Sequence, residues 1–184
     1  MLGGRRHERR EERRDDRREE HAATHYRMRQ KLLSIGDDYW IEDDRGQRVF
    51  KVDGKALRMR KTLILEDAHG NELLKIQERV MRLRDTMEIE DRDGHSVATV
   101  KKAMITPLRE RWSVDVANGP DLDIKGNILD HEYTIEEGRS QVAEVSKKWF
   151  RFADTYGVEI APGQNAALLL AVTVVVDTMA HKGD

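Results

Sequence analysis

Cysteine is absent from the 184 residues of the chain, and aromatic residues make up only 5% of them. The absence of cysteine excludes thiol catalysis, cysteine-ligated zinc, iron–sulfur clusters and disulfides, and it is compatible with a reducing compartment. The chain also has no large excess of positive or negative charge, because 33 Lys and Arg are balanced by 35 Asp and Glu, giving a net charge of −2. This balance argues against a nucleic-acid-binding domain and against an acidic disordered chain.

Charged residues themselves are plentiful, at 37% of the chain, against roughly 25% in an average domain. Residues 5–20 contain eight Arg and seven Asp or Glu and no apolar residue, so this segment contributes nothing to a core. No apolar stretch of the kind found in a signal peptide follows it. We therefore expect a disordered Arg/Glu-rich tail over residues 1–24 and one domain over residues 25–184.

The domain is built from a repeat. An aliphatic-Glu-Asp sequence with a glycine three residues after the aspartate occurs at residues 41–46, 65–70 and 89–94, each displaced by 24 residues from the last. Alternating apolar and polar residues before and after each glycine predict strands, and the Asp-rich turn predicts that they pair as hairpins. Counting two strands per copy between about residue 26 and residue 160 gives roughly a dozen antiparallel strands. Weaker copies lie at residues 112–119, 133–138 and 156–160.

The C-terminal region departs from this alternation. Asn165 is a suitable N-cap, and residues 166–176 are apolar except for Thr173, which predicts a helix over about residues 164–179. A helix that is apolar on all sides must be buried. Its apolar run is shorter than the roughly 17–25 residues that span a bilayer, and Asp177 ends it. We expect no transmembrane segment, and we expect the helix to fill the interior of a closed antiparallel barrel.

These features together resemble the LURP-one-related family, which has the tubby C-terminal-like fold. The resemblance extends from about Tyr26 to Met179, and the sequences at residues 27–38, 125–133 and 145–150 are especially typical. It implies a twelve-stranded barrel around a central C-terminal helix, in agreement with the prediction from the repeats. The wider superfamily includes tubby proteins, which bind phosphoinositide head groups with basic residues, and phospholipid scramblases. The Arg/Glu-rich tail lies outside the resemblance.

Basic residues near strand ends are the main candidates for a binding site. If they converge, they could hold a phosphate or an anionic lipid head group through charge-assisted hydrogen bonds. The alternative is that they only keep the outer surface of the barrel soluble and discourage aggregation. The candidate residues are Lys101, Lys102, Lys147, Lys148, Arg58 and Arg60, accompanied by Lys51, Lys55 and Lys61.

Other groups of polar residues are weaker candidates for a metal or catalytic site. His69 and His95 lie in equivalent turns without the spacing of a metal site, and residues 91–94 resemble the start of a calcium loop but lack the rest of it. Residues 130–132 read Asp-His-Glu, but strand alternation directs neighbouring side chains to opposite faces. No nucleophile motif or phosphate-binding glycine loop occurs. We therefore expect no catalytic residue, cofactor or metal.

The function favoured by the sequence is that of a non-enzymatic, cytoplasmic binding or scaffold module with an unidentified ligand. The alternative is a peripheral membrane protein that binds anionic, phosphoinositide-like lipids or has a scramblase-like role. A hydrolase or ligand-carrying barrel would require an open interior, which the helix is predicted to occupy, or a polar pocket lined by His131.

Overall fold

The computed structural model describes residues 23–29, 39–57, 60–78, 86–106, 109–149 and 155–180; the side chains of residues 29, 55–57, 60–61, 103–106 and 109–110 are outside this description. Within these ranges the chain forms twelve strands and one helix. They are β1 (Thr24–Arg29), β2 (Tyr39–Asp43), β3 (Arg48–Leu57), β4 (Arg60–Asp67), β5 (Glu72–Glu78), β6 (Thr86–Asp91), β7 (Ser96–Thr106), β8 (Arg109–Val116), β9 (Leu122–Asn127), β10 (Glu132–Glu137), β11 (Ser140–Ser146), β12 (Thr155–Ile160) and α1 (Ala166–Ala180).

The strands form a closed antiparallel barrel, as predicted. Each strand pairs with the strands that precede and follow it in the sequence, and β12 pairs with β1 to close the sheet. In the closing pair Thr24 lies opposite Ile160, and Arg29 lies opposite Thr155. Closure leaves no unpaired sheet edge, which removes the usual template for edge-to-edge aggregation.

The three copies of the 24-residue repeat form three equivalent hairpin turns. In each turn one carboxylate oxygen, from Asp43, Asp67 or Asp91, accepts hydrogen bonds from the backbone amides two and four residues later. The turn glycines have positive φ angles between 73° and 83°, a conformation that residues with a Cβ adopt at a cost. The Asp and Gly at fixed spacing are therefore what repeats the hairpin along the chain.

Helix α1 is buried inside this barrel. The Asn165 side chain accepts a hydrogen bond from the amide of Leu168 at 3.1 Å, so Asn165 is the N-cap; α1 spans residues 166–180, against a predicted range of about 164–179. Every residue from Leu169 to Met179 is buried. The strands meet it with their inward aliphatic residues, and the equivalent positions Ile41, Leu65 and Ile89 are fully inaccessible to solvent.

The two ends of the barrel differ in what they carry. In an antiparallel meander, alternate connections lie at the same end of the sheet. One end, called the hairpin end, therefore carries the three repeated turns, the start of β1 and the start of α1. The opposite end, called the far end, carries residues 128–131 between β9 and β10 and the end of β11. Since α1 runs along the interior, its last turns lie near the far end.

Candidate functional site

The interior near the far end contains a polar cluster centred on His131. This residue has a φ angle of 51°, unusual for a residue other than glycine, and its amide donates to the carbonyl of Ile128 at 3.1 Å. The tight turn directs the imidazole inward, where its Nε2 lies 2.6 Å from Oδ1 of Asp177 on α1. The two side chains are only 1% and 3% exposed. The pair therefore joins the β9–β10 connection to the last turns of the central helix.

Three tyrosines complete the interior polar cluster. The ring of Tyr156 packs 4.4 Å from the His131 ring. The hydroxyls of Tyr39 and Tyr156 have no hydrogen-bond partner among the described residues, and that of Tyr133 lies beside the Thr173 hydroxyl without hydrogen-bonding geometry. Burial, and then the negative charge of Asp177, raise the pKa of all three tyrosines above the ordinary value.

The side chains of the Asp-His-Glu sequence at residues 130–132 point in different directions, as predicted. Asp130 is on the surface, where its carboxylate accepts a hydrogen bond from the Asn127 side chain at 2.6 Å. Glu132 binds the Ser146 hydroxyl at 3.0 Å on β11. The acid that meets His131 comes instead from α1, 46 positions further along the chain.

The predicted basic residues that are described lie beside acids or an aromatic ring. Lys101 is paired with Asp115 on β8, and the ammonium of Lys102 lies 5.3 Å from the centre of the Trp112 ring. Lys148 binds Glu132 at 2.9 Å, and the amide of Lys147 donates to the same carboxylate. Partial burial alone would raise the pKa of Glu132, but the hydrogen bonds from Lys148 and Ser146 outweigh it and the pKa is lowered.

The sheet order places the three basic groups on separate parts of the barrel. Lys101 and Lys102 belong to β7, the second lysine pair follows β11, and Arg60 begins β4. In the closed sheet β7 is three strands from β4 and four from β11. Lys51 lies 3.5 Å from Glu66 and 3.8 Å from Asp53. Arg58 and the side chains of Lys55, Arg60 and Lys61 are outside the described residues.

A concave site, here called the rim pocket, lies beside β1 at the hairpin end and has a volume of about 330 Å³. Its walls come from β1, from the β2–β3 turn and from the residues after β11. The Trp149 ring lies 5.8 Å from the His25 ring, and the two planes meet at 86°. The lining residues are His25, Tyr26, Arg27, Asp43, Asp44, Gly46 and Trp149.

Charges around the rim pocket are partly matched. The Arg27 guanidinium donates to the Glu42 carboxylate, and His25 lies 3.6 Å from Glu159. Asp43 uses Oδ1 to hold the turn. Burial, and then the negative charge of Asp43, raise the pKa of Tyr26 in the pocket wall.

Asp44 contributes the other carboxylate of the rim pocket. It is exposed and makes no hydrogen bond or ion pair with any residue that the structure describes. The pocket thus combines one partly exposed tryptophan with two carboxylates, of which only Asp43 is engaged by the turn.

Sequence reasoning missed this pocket because its walls are distant in sequence. Trp149 follows β11, whereas His25 belongs to β1, and β12 lies between them in the sheet. Gly157, at an outward position of β12, is buried. An aromatic residue directly after the Lys147-Lys148 pair was the available signal.

A second cluster lies in the β6–β7 turn. The ligand atoms of Asp91, Asp93 and His95 lie within 4.8 Å of one another, and the latter two residues are exposed. Oδ1 of Asp91 is engaged by the amides of Asp93 and His95, as in the equivalent turns. Residues 91–94 lie in the β6–β7 hairpin turn, as predicted, and this turn brings the three ligand atoms together.

In the described part of the chain, no helix has both the length and the apolar character needed to span a membrane. Helix α1, at 15 residues, is the longest apolar segment described and is enclosed by the barrel.

Known proteins resemble this chain in sequence and in fold. Residues 24–177 match the sequence model of the family described as LURP-one-related. The uncharacterised protein YxjI of Bacillus subtilis is 28% identical over 157 residues, which cover 85% of this chain and 94% of YxjI. A crystal structure of an Arabidopsis thaliana protein superimposes with a TM-score of 0.65 at 19% identity, covering 87% of this chain and 93% of the plant protein. The plant structure supports the fold alone.

Proposed function

Because the chain belongs to the LURP-one-related family, we propose that it is a non-enzymatic binding module which engages a partner protein through the outer surface of its barrel. The absence of cysteine fits a place of action in the cytoplasm. Family membership supplies the architecture and leaves the ligand to be inferred from the surface.

The observation that carries this proposal is the filled interior. A barrel that carries a small ligand or hosts catalysis needs an accessible cavity, usually with a few polar groups aimed into it. Here α1 lies within the barrel, and the polar groups inside, His131, Asp177 and the three tyrosines, are closed off from solvent. Among the described residues, those accessible to a partner lie on the outer surface, where Trp149 is 38% exposed and lines the rim pocket.

The alternative, recognition of anionic phospholipids by the predicted basic residues, has less support. Lys101 and Lys148 each have a carboxylate partner, so an anionic head group would have to displace it. Their strands are also four apart in the barrel. Recognition of one small head group normally needs several cations in the same place.

Site-specific photocrosslinking tests the proposal. A photoreactive phenylalanine analogue would replace Trp149 in the full chain, and a matched control would carry it at the exposed residue Leu129 on the β9–β10 connection. In extracts of the cells that make the protein, we expect a discrete protein adduct from position 149 and none of the same mass from position 129.

Two results would contradict the proposal. One is the same adducts from both positions, or none from either. The other is flotation of the purified chain with vesicles of phosphatidylcholine and phosphatidylserine, but not with phosphatidylcholine alone, that is lost when both lysine pairs are replaced by alanine. That outcome would support the lipid-binding alternative.

A further inference from the structure

The rim pocket has the chemistry of a site for an organic cation. We propose that it binds an arginine side chain presented by a partner protein, with the guanidinium against the Trp149 ring and within reach of the Asp43 and Asp44 carboxylates. The proposal rests on the binding function proposed above, and it names the chemical group that this function recognises.

Charge is the first reason. Among the described residues that line the pocket, Arg27 is the one cation that is charged at all pH values of interest, and the Glu42 carboxylate balances it. The carboxylates of Asp43 and Asp44 then remain, so the site has a negative balance. Arg45 belongs to the same turn but does not line the pocket.

The availability of Asp44 is the second reason. Asp43 is held in the turn by two backbone amides, which fixes where its carboxylate lies. Asp44 follows it directly, is exposed, and makes no ion pair or hydrogen bond within the described parts of the chain. A guanidinium suits this arrangement because its N–H groups can donate charge-assisted hydrogen bonds to two carboxylates at once.

The aromatic wall is the third reason. A cation within about 6 Å of a tryptophan ring is attracted to its face, and tryptophan is the best of the aromatic residues for this contact. The Trp149 ring packs edge to face against the His25 ring, and 38% of the surface of Trp149 is exposed. The planar guanidinium stacks on such a ring, whereas a lysine ammonium is compact and more strongly hydrated, so arginine is the better fit.

The size of the pocket limits what it holds. Its volume of about 330 Å³ lies at the lower end of the range for small-ligand sites, which is roughly 300–1,000 Å³. One long side chain inserted from a partner surface suits such a space, with the rest of the interface formed around it. Arginine and tryptophan are also the residues most often responsible for affinity at protein interfaces.

A peptide titration on the full chain tests the proposal. Three short capped peptides of the same sequence would carry arginine, lysine or citrulline, which has the shape of arginine without its charge. Binding would be followed through the amide NMR signals of Asp44 and Gly46. A single inserted side chain should bind with a dissociation constant on the order of 1 mM. We expect arginine to bind at least about tenfold more tightly than citrulline, and lysine to fall between them.

Variants separate the pocket from general charge. Trp149→Ala and Asp44→Asn should each weaken binding of the arginine peptide by about tenfold or more. Asp93→Asn, which removes the same charge from an exposed position in the equivalent β6–β7 turn, should change it by less than about twofold. Added salt should weaken binding to the unmodified chain, because exposed charges are screened.

Three outcomes overturn the proposal. The first is equal binding of the arginine and citrulline peptides, and the second is equal loss in the Asp44 and Asp93 variants. The third is tighter peptide binding when the eight arginines of residues 5–20 are replaced by glutamine, since that result assigns the pocket to the chain's own arginines instead of a partner's. A protein crosslink at position 149 with no preference for arginine would leave the binding function standing and remove only the cation site.

Discussion

Replacing Asp177 with alanine is expected to lower the free energy of unfolding by about 3–5 kcal/mol. The substitution leaves the buried His131 without the carboxylate that lies 2.6 Å from its Nε2. The imidazole must then stay in the core without this hydrogen bond or open the β9–β10 connection to water. Urea unfolding followed by far-ultraviolet circular dichroism measures the loss.

Two control variants show whether the loss comes from the buried pair. Asp177→Asn keeps an acceptor of similar shape and should cost less, about 1–3 kcal/mol. Asp115→Ala breaks the exposed pair with Lys101 and should cost no more than about 1 kcal/mol. A loss of less than about 1 kcal/mol for Asp177→Ala would mean that the His131–Asp177 pair does not hold α1 to the barrel.

Replacing Gly126 with alanine is expected to destabilise the chain by about 3 kcal/mol or more, or to prevent folding. Gly126 lies in β9 opposite Tyr133, with a φ angle of 132°. A Cβ built there would lie 2.5 Å from the carbonyl oxygen of Glu132 and 2.7 Å from Cα of Tyr133. These contacts are to backbone atoms, which cannot rotate away, so the pairing of β9 with β10 must shift.

The matched control is Gly70→Ala in the β4–β5 turn. Gly70 has a φ angle of 83°, but an added Cβ there would have no atom within 4 Å. This variant bears the cost of the backbone conformation alone, about 1–2 kcal/mol. Equal losses for the two variants in urea unfolding would show that the close approach of β10 to Gly126 has no energetic weight.

Local chemistry explains why much of the fold is predictable from the sequence. The turns at Asp43, Asp67 and Asp91 are specified by residues within five positions of one another, so each hairpin is visible in a short window. The period-two alternation then fixes which face of a strand is buried. The burial of helix α1 is predictable because its segment is apolar on every side and too short to span a bilayer, so it must be covered by the rest of the chain.

The sites are less predictable because their residues meet only through the closed sheet. His131 and Asp177 read as a turn residue and a helix end, and neither has a local partner that reveals the buried pair. Lys101 and Lys148 read as free cations, although their acids lie on neighbouring strands. Trp149 and His25 come together across β12, which depends on the pairing of the last strand with the first.

The state of the tyrosines tests most directly whether the interior is closed. The pKa of each of the four tyrosines of the chain is raised, for Tyr39, Tyr133 and Tyr156 by burial and then by Asp177. Since the folded-state pKa lies above the unfolded value of about 10, the stability that comes from burying neutral tyrosines is complete below that pH. It is lost as the pH rises further, by about 1.4 kcal/mol per pH unit for each tyrosine.

The measurement is a spectrophotometric titration of phenolate absorbance from neutral to alkaline pH, with circular dichroism recorded on the same samples and a urea-unfolded sample as control. The filled barrel predicts that all four tyrosines ionise near pH 10 in urea. In the native chain, Tyr39, Tyr133 and Tyr156 should ionise only together with the loss of the fold. Ionisation of these three near pH 10 in a chain that keeps its native spectrum would contradict a closed interior.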